Sequence, residues 1–589
     1  MVAATEACVS LTHRYANQMD FISALFVGGV LLIIGGSWIA PRIGLAAPIL
    51  LTVVGIGIGY IPGLEPLEIE PEWILAIVLP PILYAAAVNV PITDFRRNFK
   101  AISGLSVILV ILSAVAIGFL LTWLMPGLPL AAAIALGAVV SPPDAVAATS
   151  IGKRLGLPGR LVTVLEGEGL VNDATALVLL RSAIAAIGGS VTIFGVAADF
   201  VFAVVVAVLI GLVVGLVTVW ARARIDQPTL TTAISFVVPF LAYLPAESVH
   251  ASGVLAVVIA GLVTGHKALR HLSVQDRITE RMNWRTAQLL LENGVFLVMG
   301  YQMAQIVTEV GEEGASVWAT VGIGLVVTVA LILLRAVFMV PLLVSLRSER
   351  RRATNRAARA DQFLERIDGM VPHGEREERR LTAMRKRLGW QRTEWNALAR
   401  DGLGWRGGLV LTWSGMRGVV TLAAAQSLPF DVPFRSQLIL IAFTVALVTL
   451  VLHGTTLPVL IRMLGVSGTD AEAQRREIAD LVENVVGAGA ARINSPDLVT
   501  DEGKPYKPEY VTDITANRAR LATAFVGQFE ETQSEENRQR AALFRLMLEA
   551  EQAATLDMRA SGAYSSEAIE YAQRVVDTDL ARSAQQGVI

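Results

Sequence analysis

Thirteen apolar runs dominate the chain, at approximately residues 21–40, 45–61, 73–90, 101–125, 128–150, 161–187, 193–220, 229–246, 250–265, 287–306, 316–346, 407–428 and 436–461. A hydrocarbon layer about 30 Å thick is crossed by roughly 20 helical residues, the scale of these runs. Lipid offers the backbone no hydrogen-bond partner, so such segments fold as helices that satisfy their own amides and carbonyls. The expectation is an all-α polytopic membrane protein with about 13 transmembrane helices. At 54% hydrophobic and 17% charged residues over 589 positions, the composition excludes an ordinary soluble globule.

Loop charge gives orientation. Alternate loops carry fourteen basic residues, among them Arg96, Arg97, Lys153, Arg154, Arg222, Arg224, Arg281 and Arg285. The opposite loops carry one, Arg435, beside the acids Glu65, Glu68, Glu70, Glu72, Glu309, Glu312 and Glu313. By the positive-inside rule the basic loops are cytoplasmic, which puts the N-terminal segment 1–20 outside and the C-terminus in the cytoplasm of a multi-pass inner (plasma) membrane protein. Segment 1–20 lacks a basic stretch leading into a short apolar run and cleavage site, so the first apolar run is expected to direct insertion. The transmembrane domain is expected over 21–464. It includes an Arg-rich cytoplasmic loop, 347–406, read as a helical hairpin interrupted near Pro372 and Gly374 that touches anionic headgroups. A polar tail, 465–589, is expected to be helical near 470–486, 513–557 and 565–583 and to serve regulation or dimer contact. The net charge of −2 gives no indication of a nucleic-acid partner, and no phosphate loop or nucleic-acid motif occurs. A single cysteine, Cys8, excludes an intrachain disulfide and a thiolate cluster. No cofactor is expected.

The chemistry is carried by ionisable groups inside the apolar runs, where each costs roughly 2.5 to 3.5 kcal/mol unless it faces water or a partner. The run 161–187 holds Glu166, Glu168, Asn172, Asp173 and Arg181. Asp173 lies at its middle with apolar flanks, which makes it the first candidate for a transported ion. Glu166 and Asp173 share one helical stripe, and Glu168 and Asn172 pair on an adjacent face. Glu166 is also compatible with a place at the cytoplasmic mouth. In the fifth run, SPPDAVA, Pro142 and Pro143 remove two backbone donors, so the helix must open just before Asp144. In the twelfth, SGMRGVV, Gly415 and Gly418 bracket Arg417. Interrupted segments at corresponding positions of two halves point to a transporter site, here two six-helix inverted repeats with broken crossing helices, joined by the seventh span. Arg335, central in the eleventh run, is expected to neutralise Glu168. Arg417 is expected either to meet the exposed carbonyls of a broken helix or to reach the cytoplasmic surface. Of the six histidines, His250, His266, His271 and His453 are unclustered and more readily make polar contacts than hold metal. Glu292 and Asn293 have no assigned role.

GEGLVND (167–173), SPPDAVA (141–147) and SGMRGVV (414–420) resemble the signature segments of the monovalent cation/proton antiporters, in the bacterial-type sodium/proton exchanger branch. The resemblance covers roughly residues 20–465. It implies a homodimer in which a six-helix core moves against a dimerisation domain, with Asp173 as the shared Na⁺ and proton site and Asp144 as an accessory. It implies that Asn172 marks the electroneutral branch and that Glu168 and Arg335 form a core ion pair. Where many relatives have Ser after the motif glutamate this chain has Gly169, and Pro143 stands where Thr or Val is frequent. The resemblance thus leaves a main-chain oxygen at Pro143 as the ligand there.

The residues by themselves support exchange without ATP: if a buried carboxylate crosses the barrier only when neutralised by a proton or by Na⁺, the two compete and exchange is obligatory. Hard oxygen ligands suit Na⁺ or Li⁺. Two alternatives are a K⁺-selective exchanger and a cation channel. A third, an intramembrane aspartyl protease using Asp144 and Asp173 as a dyad, lacks the GxGD arrangement that resembles those proteases.

Overall fold

The computed structural model describes residues 27–62, 70–187, 193–225, 227–370, 374–400, 404–466, 471–495 and 506–516, with 547, 550, 551 and 554. All regular structure among the described residues is helical. The chain divides into two units, Met1–Gly468 and Thr469–Ile589.

In the first unit α1 (Val27–Ile43) leads to α2 (Ala47–Gly59), α3 (Ile74–Asn89) and α4 (Phe99–Leu124). The fifth apolar run is split into α5 (Leu130–Val140) and α6 (Ala145–Arg154). Then follow α7 (Gly159–Ile187), α8 (Ile193–Arg222), α9 (Pro228–Ser248) and α10 (Gly253–His271). Two long helices come next, α11 (Val274–Glu312) and α12 (Val317–Asp368), and then α13 (Glu375–Arg400). The twelfth run is split as well, into α14 (Trp405–Trp413) and α15 (Val419–Gln426), before α16 (Arg435–Met463).

Every predicted apolar run falls on one of these helices or on a broken pair. Among the described residues, six helices suffice alone by length and composition to cross a membrane and five are shorter apolar helices. The sequence placed a boundary at 346, between span and loop, and the backbone has none there. Helix α12 continues through the Arg- and Ala-rich segment to Asp368, because good helix formers follow the apolar part without a breaker. It packs against α13, with Ala353, Ala357, Ala360 and Ile367 buried along its polar end and Arg385 of α13 donating to the Ile367 carbonyl at 3.1 Å.

The first unit has two principal apolar cores. One gathers α4, α5, α7, α12 and α16 around Leu105, Leu136, Leu165, Leu331 and Phe443. The other gathers α3, α8, α9 and α10 around Tyr84, Ala207, Ala242 and Val257. The second core contains a departure from the loop reading. Arg222, counted among the loop charges, is the last residue of α8 and 1% exposed. Its guanidinium makes two parallel bonds to Glu280 (3.0 and 2.7 Å), a fork that lets both charges leave water together.

In the second unit α17 (Ala471–Ile493) covers the first expected tail helix. The expected stretches 513–557 and 565–583 lie almost wholly outside the described residues, as do the N-terminal segment, Cys8, Glu65 and Glu68.

Candidate functional site: two broken helices around an acidic cavity

Pro142 and Pro143 end α5 at Val140, and Asp144 caps α6, its Oδ1 accepting from the Val146 amide at 2.8 Å. The segment 414–418 opens the other run in the same way. The two openings face each other: the Asp144 amide donates to the Met416 carbonyl at 2.6 Å. Arg417 fills the crossing. Its Nε donates to the Val140 carbonyl (2.9 Å), one Nη to the Ser141 carbonyl (3.3 Å) and the other to the Gly415 carbonyl. The C-terminal carbonyls of α5, left without helical partners and carrying the negative end of its dipole, are met by a full positive charge. With Arg417 only 3% exposed, the structure places it against these carbonyls and away from the surface.

Two glycines make the close approach possible. A Cβ on Gly418 would overlap the Asp144 carboxylate, and one on Gly169 would stand 2.6 Å from the Ala145 Cβ. A serine at 169 would therefore collide with the start of α6, which gives a packing reason for the glycine in this chain's GEG segment.

Glu168 and Arg335 form a bidentate pair (2.5 and 2.8 Å) at 1% and 2% exposure, and Arg335 Nε donates to the Leu411 carbonyl at 3.0 Å. Asn172, fully buried, donates to the Pro143 carbonyl at 2.6 Å and pins the break to α7. Its Oδ1 has no hydrogen-bond partner among the described residues. Glu166 meets Lys153 at 2.6 Å, and Arg181 reaches across to Glu247. His453 is buried edge-on to Trp413, with ring centroids 5.0 Å apart.

A cavity of about 90 Å³ lies against the crossing, lined by Asp144, Asp173, Glu292, Pro143, Gly169 and Thr421 together with apolar residues of α3. That is room for about three waters. Among the described residues its walls carry three carboxylates and no cationic side chain. Asp144 and Asp173 are thus brought together, as is Pro143, while Asn172, Glu168, Arg335 and Arg417 stand behind the wall. Asp173 has no hydrogen bond and no ion pair among the described residues. Glu292 was visible in the sequence as an acid in an apolar run but had no assigned place. It comes in from α11 and accepts from Gln288 at 2.6 Å. No group of three His, Cys, Asp or Glu side chains converges as a metal site among the described residues, so a small cation would combine a carboxylate with carbonyl, hydroxyl and water oxygens.

Helices broken at their crossing, with acids on one side of the break and a buried guanidinium on the other, define a secondary transporter of the discontinuous-helix class. The fold is similar to that of the sodium proton antiporter MjNhaP1 from Methanocaldococcus jannaschii at pH 8, with TM-score 0.53 and 16% identity over 76% of this chain and 100% of that one. The sodium/hydrogen exchanger transmembrane family model matches residues 29–463, and the chain belongs to that family of cation/proton antiporters. A Na⁺/H⁺ exchanger of Mycobacterium tuberculosis is 30% identical over 528 residues, 86% of this chain and 88% of the relative. The Escherichia coli K12 exchanger YjcE is 27% identical over 526 residues, 85% and 88% of the two chains. A Bacillus subtilis sodium, potassium, lithium and rubidium/H⁺ antiporter is 27% identical over 460 residues, 75% and 62%.

Proposed function

We propose that the chain exchanges Na⁺, with Li⁺ as a second substrate, for H⁺ across the inner membrane, one for one, and so serves pH and sodium homeostasis. The observation that carries this reading is the contrast between two carboxylates on one helix. Glu168 is fully committed to Arg335, whereas Asp173 faces the cavity with no partner among the described residues. An unpaired carboxylate taken out of water costs many kcal/mol, so the site crosses the barrier only with a proton or a cation on Asp173. Asp144, held open by Gly418, supplies a second oxygen donor, and the Pro143 carbonyl a third. Each cycle then moves one positive charge in each direction.

The reading extends to a homodimer in the lipid bilayer, with the basic loops and the tail 465–589 in the cytoplasm, the tail acting in regulation. K⁺ is the second reading. It is favoured by the packing at Gly169, which leaves no room for a hydroxyl ligand there, and by the broad cation range in the name of the Bacillus subtilis relative. The deciding experiment follows dequenching of a pH dye in everted vesicles on adding Na⁺, Li⁺ or K⁺. Dequenching with Na⁺ and Li⁺ alone supports the first reading, an equal K⁺ response supports the second, and no response to any cation contradicts both.

A further inference from the structure

A third apolar cluster stands apart from the two main cores, formed by Ile74, Val295 and Ala423 with Leu75 and Val78 against it. Ile74 and Val295 line the acidic cavity, and both also line a smaller one of about 10 Å³ that includes Ala423, Gln302 and Gln426. They therefore form the wall between the two. Beyond that wall Gln426 Nε2 donates to Gln302 Oε1 at 3.1 Å, while Gln426 Oε1 is buried without a partner among the described residues.

Three elements give the same order. On α11, Glu292 precedes Val295, and Gln302 follows about 10 Å further at 1.5 Å per residue. After the second break Gly418 precedes Ala423 and Gln426, and on α3 only Ile74, at the N-terminal end, reaches the smaller cavity. All three ends point toward the loops that carry Glu70, Glu72, Glu309 and Asp431, the side opposite the basic loops. Ile74 also opens a π-helical turn, Ile74–Val78, an irregularity frequent where a helix must adjust. Arg435 holds the end of α15 in place through bonds to the carbonyls of Gln426 (2.7 Å) and Leu428 (2.9 Å).

We propose that Ile74, Val295 and Ala423 form the barrier that shuts the acidic cavity from the side of the acidic loops, with the Gln302–Gln426 amide pair as the latch that parts when that side opens. Apolar constrictions block ions by excluding water, and an amide pair joining α11 to α15 breaks without leaving a charge behind. Ile74 and Val295 belong to elements other than the broken pair α5–α6, where Asp144 sits at the break, and the continuous α7, which bears Asp173, so relative movement of the two sets opens the wall. This inference rests on the exchange reading.

The test starts from Cys8→Ser, which leaves no thiol, and adds Gln302→Cys with Gln426→Cys. Cross-linking the two by mild oxidation or a short bifunctional reagent, verified by mass spectrometry, is expected to abolish cation-driven proton movement, with recovery on reduction. The single-cysteine variants treated alike are expected to retain it. In a second variant, Ile74→Ala with Val295→Ala, the vesicles are expected to leak protons in the absence of Na⁺, Li⁺ and K⁺. Full exchange in the cross-linked protein, or tight coupling in the widened variant, overturns the latch and barrier respectively. If the unmodified protein moves no protons with any cation, the exchange reading fails instead; a pair that refuses every short cross-linker overturns the latch whatever the protein transports.

Discussion

Asn172 donates its side-chain amide to the Pro143 carbonyl across 2.6 Å, so the residue beside Asp173 is a strut and not a wall of the cavity. An aspartate at 172 keeps that bond only as the protonated acid, because a carboxylate would set one acceptor against another. Asn172→Asp is therefore expected to leave exchange independent of membrane potential. Proton movement in proteoliposomes under a K⁺/valinomycin clamp checks this, and a rate that follows the imposed potential would show a second titrating carboxylate at work.

Glu168 and Arg335 should behave as one unit. Removing one member of a buried pair typically costs about 3–5 kcal/mol, because the other charge is left unpaired, while removing both is often close to neutral. Glu168→Gln and Arg335→Ala are each expected to lower the melting temperature in detergent more than the double variant does. Additive losses would mean that the two residues act independently.

Gly418→Ala introduces a methyl group where the Asp144 carboxylate lies. The protein is expected to fold, with the carboxylate displaced and exchange reduced about 10²-fold, the scale of an ångström-level misplacement in a reacting site. Gly159→Ala, where a Cβ meets nothing within 4 Å, is the control and should keep wild-type rates. Equal rates for the two variants would remove Asp144 from the site.

The orientation rests on loop charge. With Cys8→Ser as background, Glu70→Cys is expected to react with an impermeant thiol reagent added outside intact cells, and Arg154→Cys only after permeabilisation. Both positions are exposed, so the reverse pattern would invert the topology.

Much of the fold was legible because its signals are local. Consecutive prolines before Asp144 announce a break whatever surrounds them, and apolar runs of bilayer length announce helices. Glu168 within the apolar run of α7 and Arg335 within that of α12 could be matched because each is expensive alone. The sequence was silent where the answer depends on what packs opposite. Nothing in LLENGVFLVMG says that Glu292 joins Asp144 and Asp173 at one cavity, since that depends on where α11 passes. Arg222 read as a loop charge because its partner Glu280 lies 58 residues on, on another helix. The span of α12 was cut at its first arginines by a hydropathy rule, although helix propensity alone carries the backbone on to Asp368. Gly169 stood out only as a departure from the serine of many relatives, and its close approach to Ala145 gives it a reason in packing.

Asp173→Asn tests the central claim most directly, because it keeps the shape of the cavity carboxylate that has no partner among the described residues and removes its charge and its proton. The measurement is Na⁺-driven proton movement in proteoliposomes, at several clamped potentials, for the wild type and the variant. Wild-type exchange at a rate indifferent to potential, with none in Asp173→Asn, is the expected result. Exchange surviving in Asp173→Asn, or a wild-type rate that tracks the potential, would contradict one-for-one exchange at this residue.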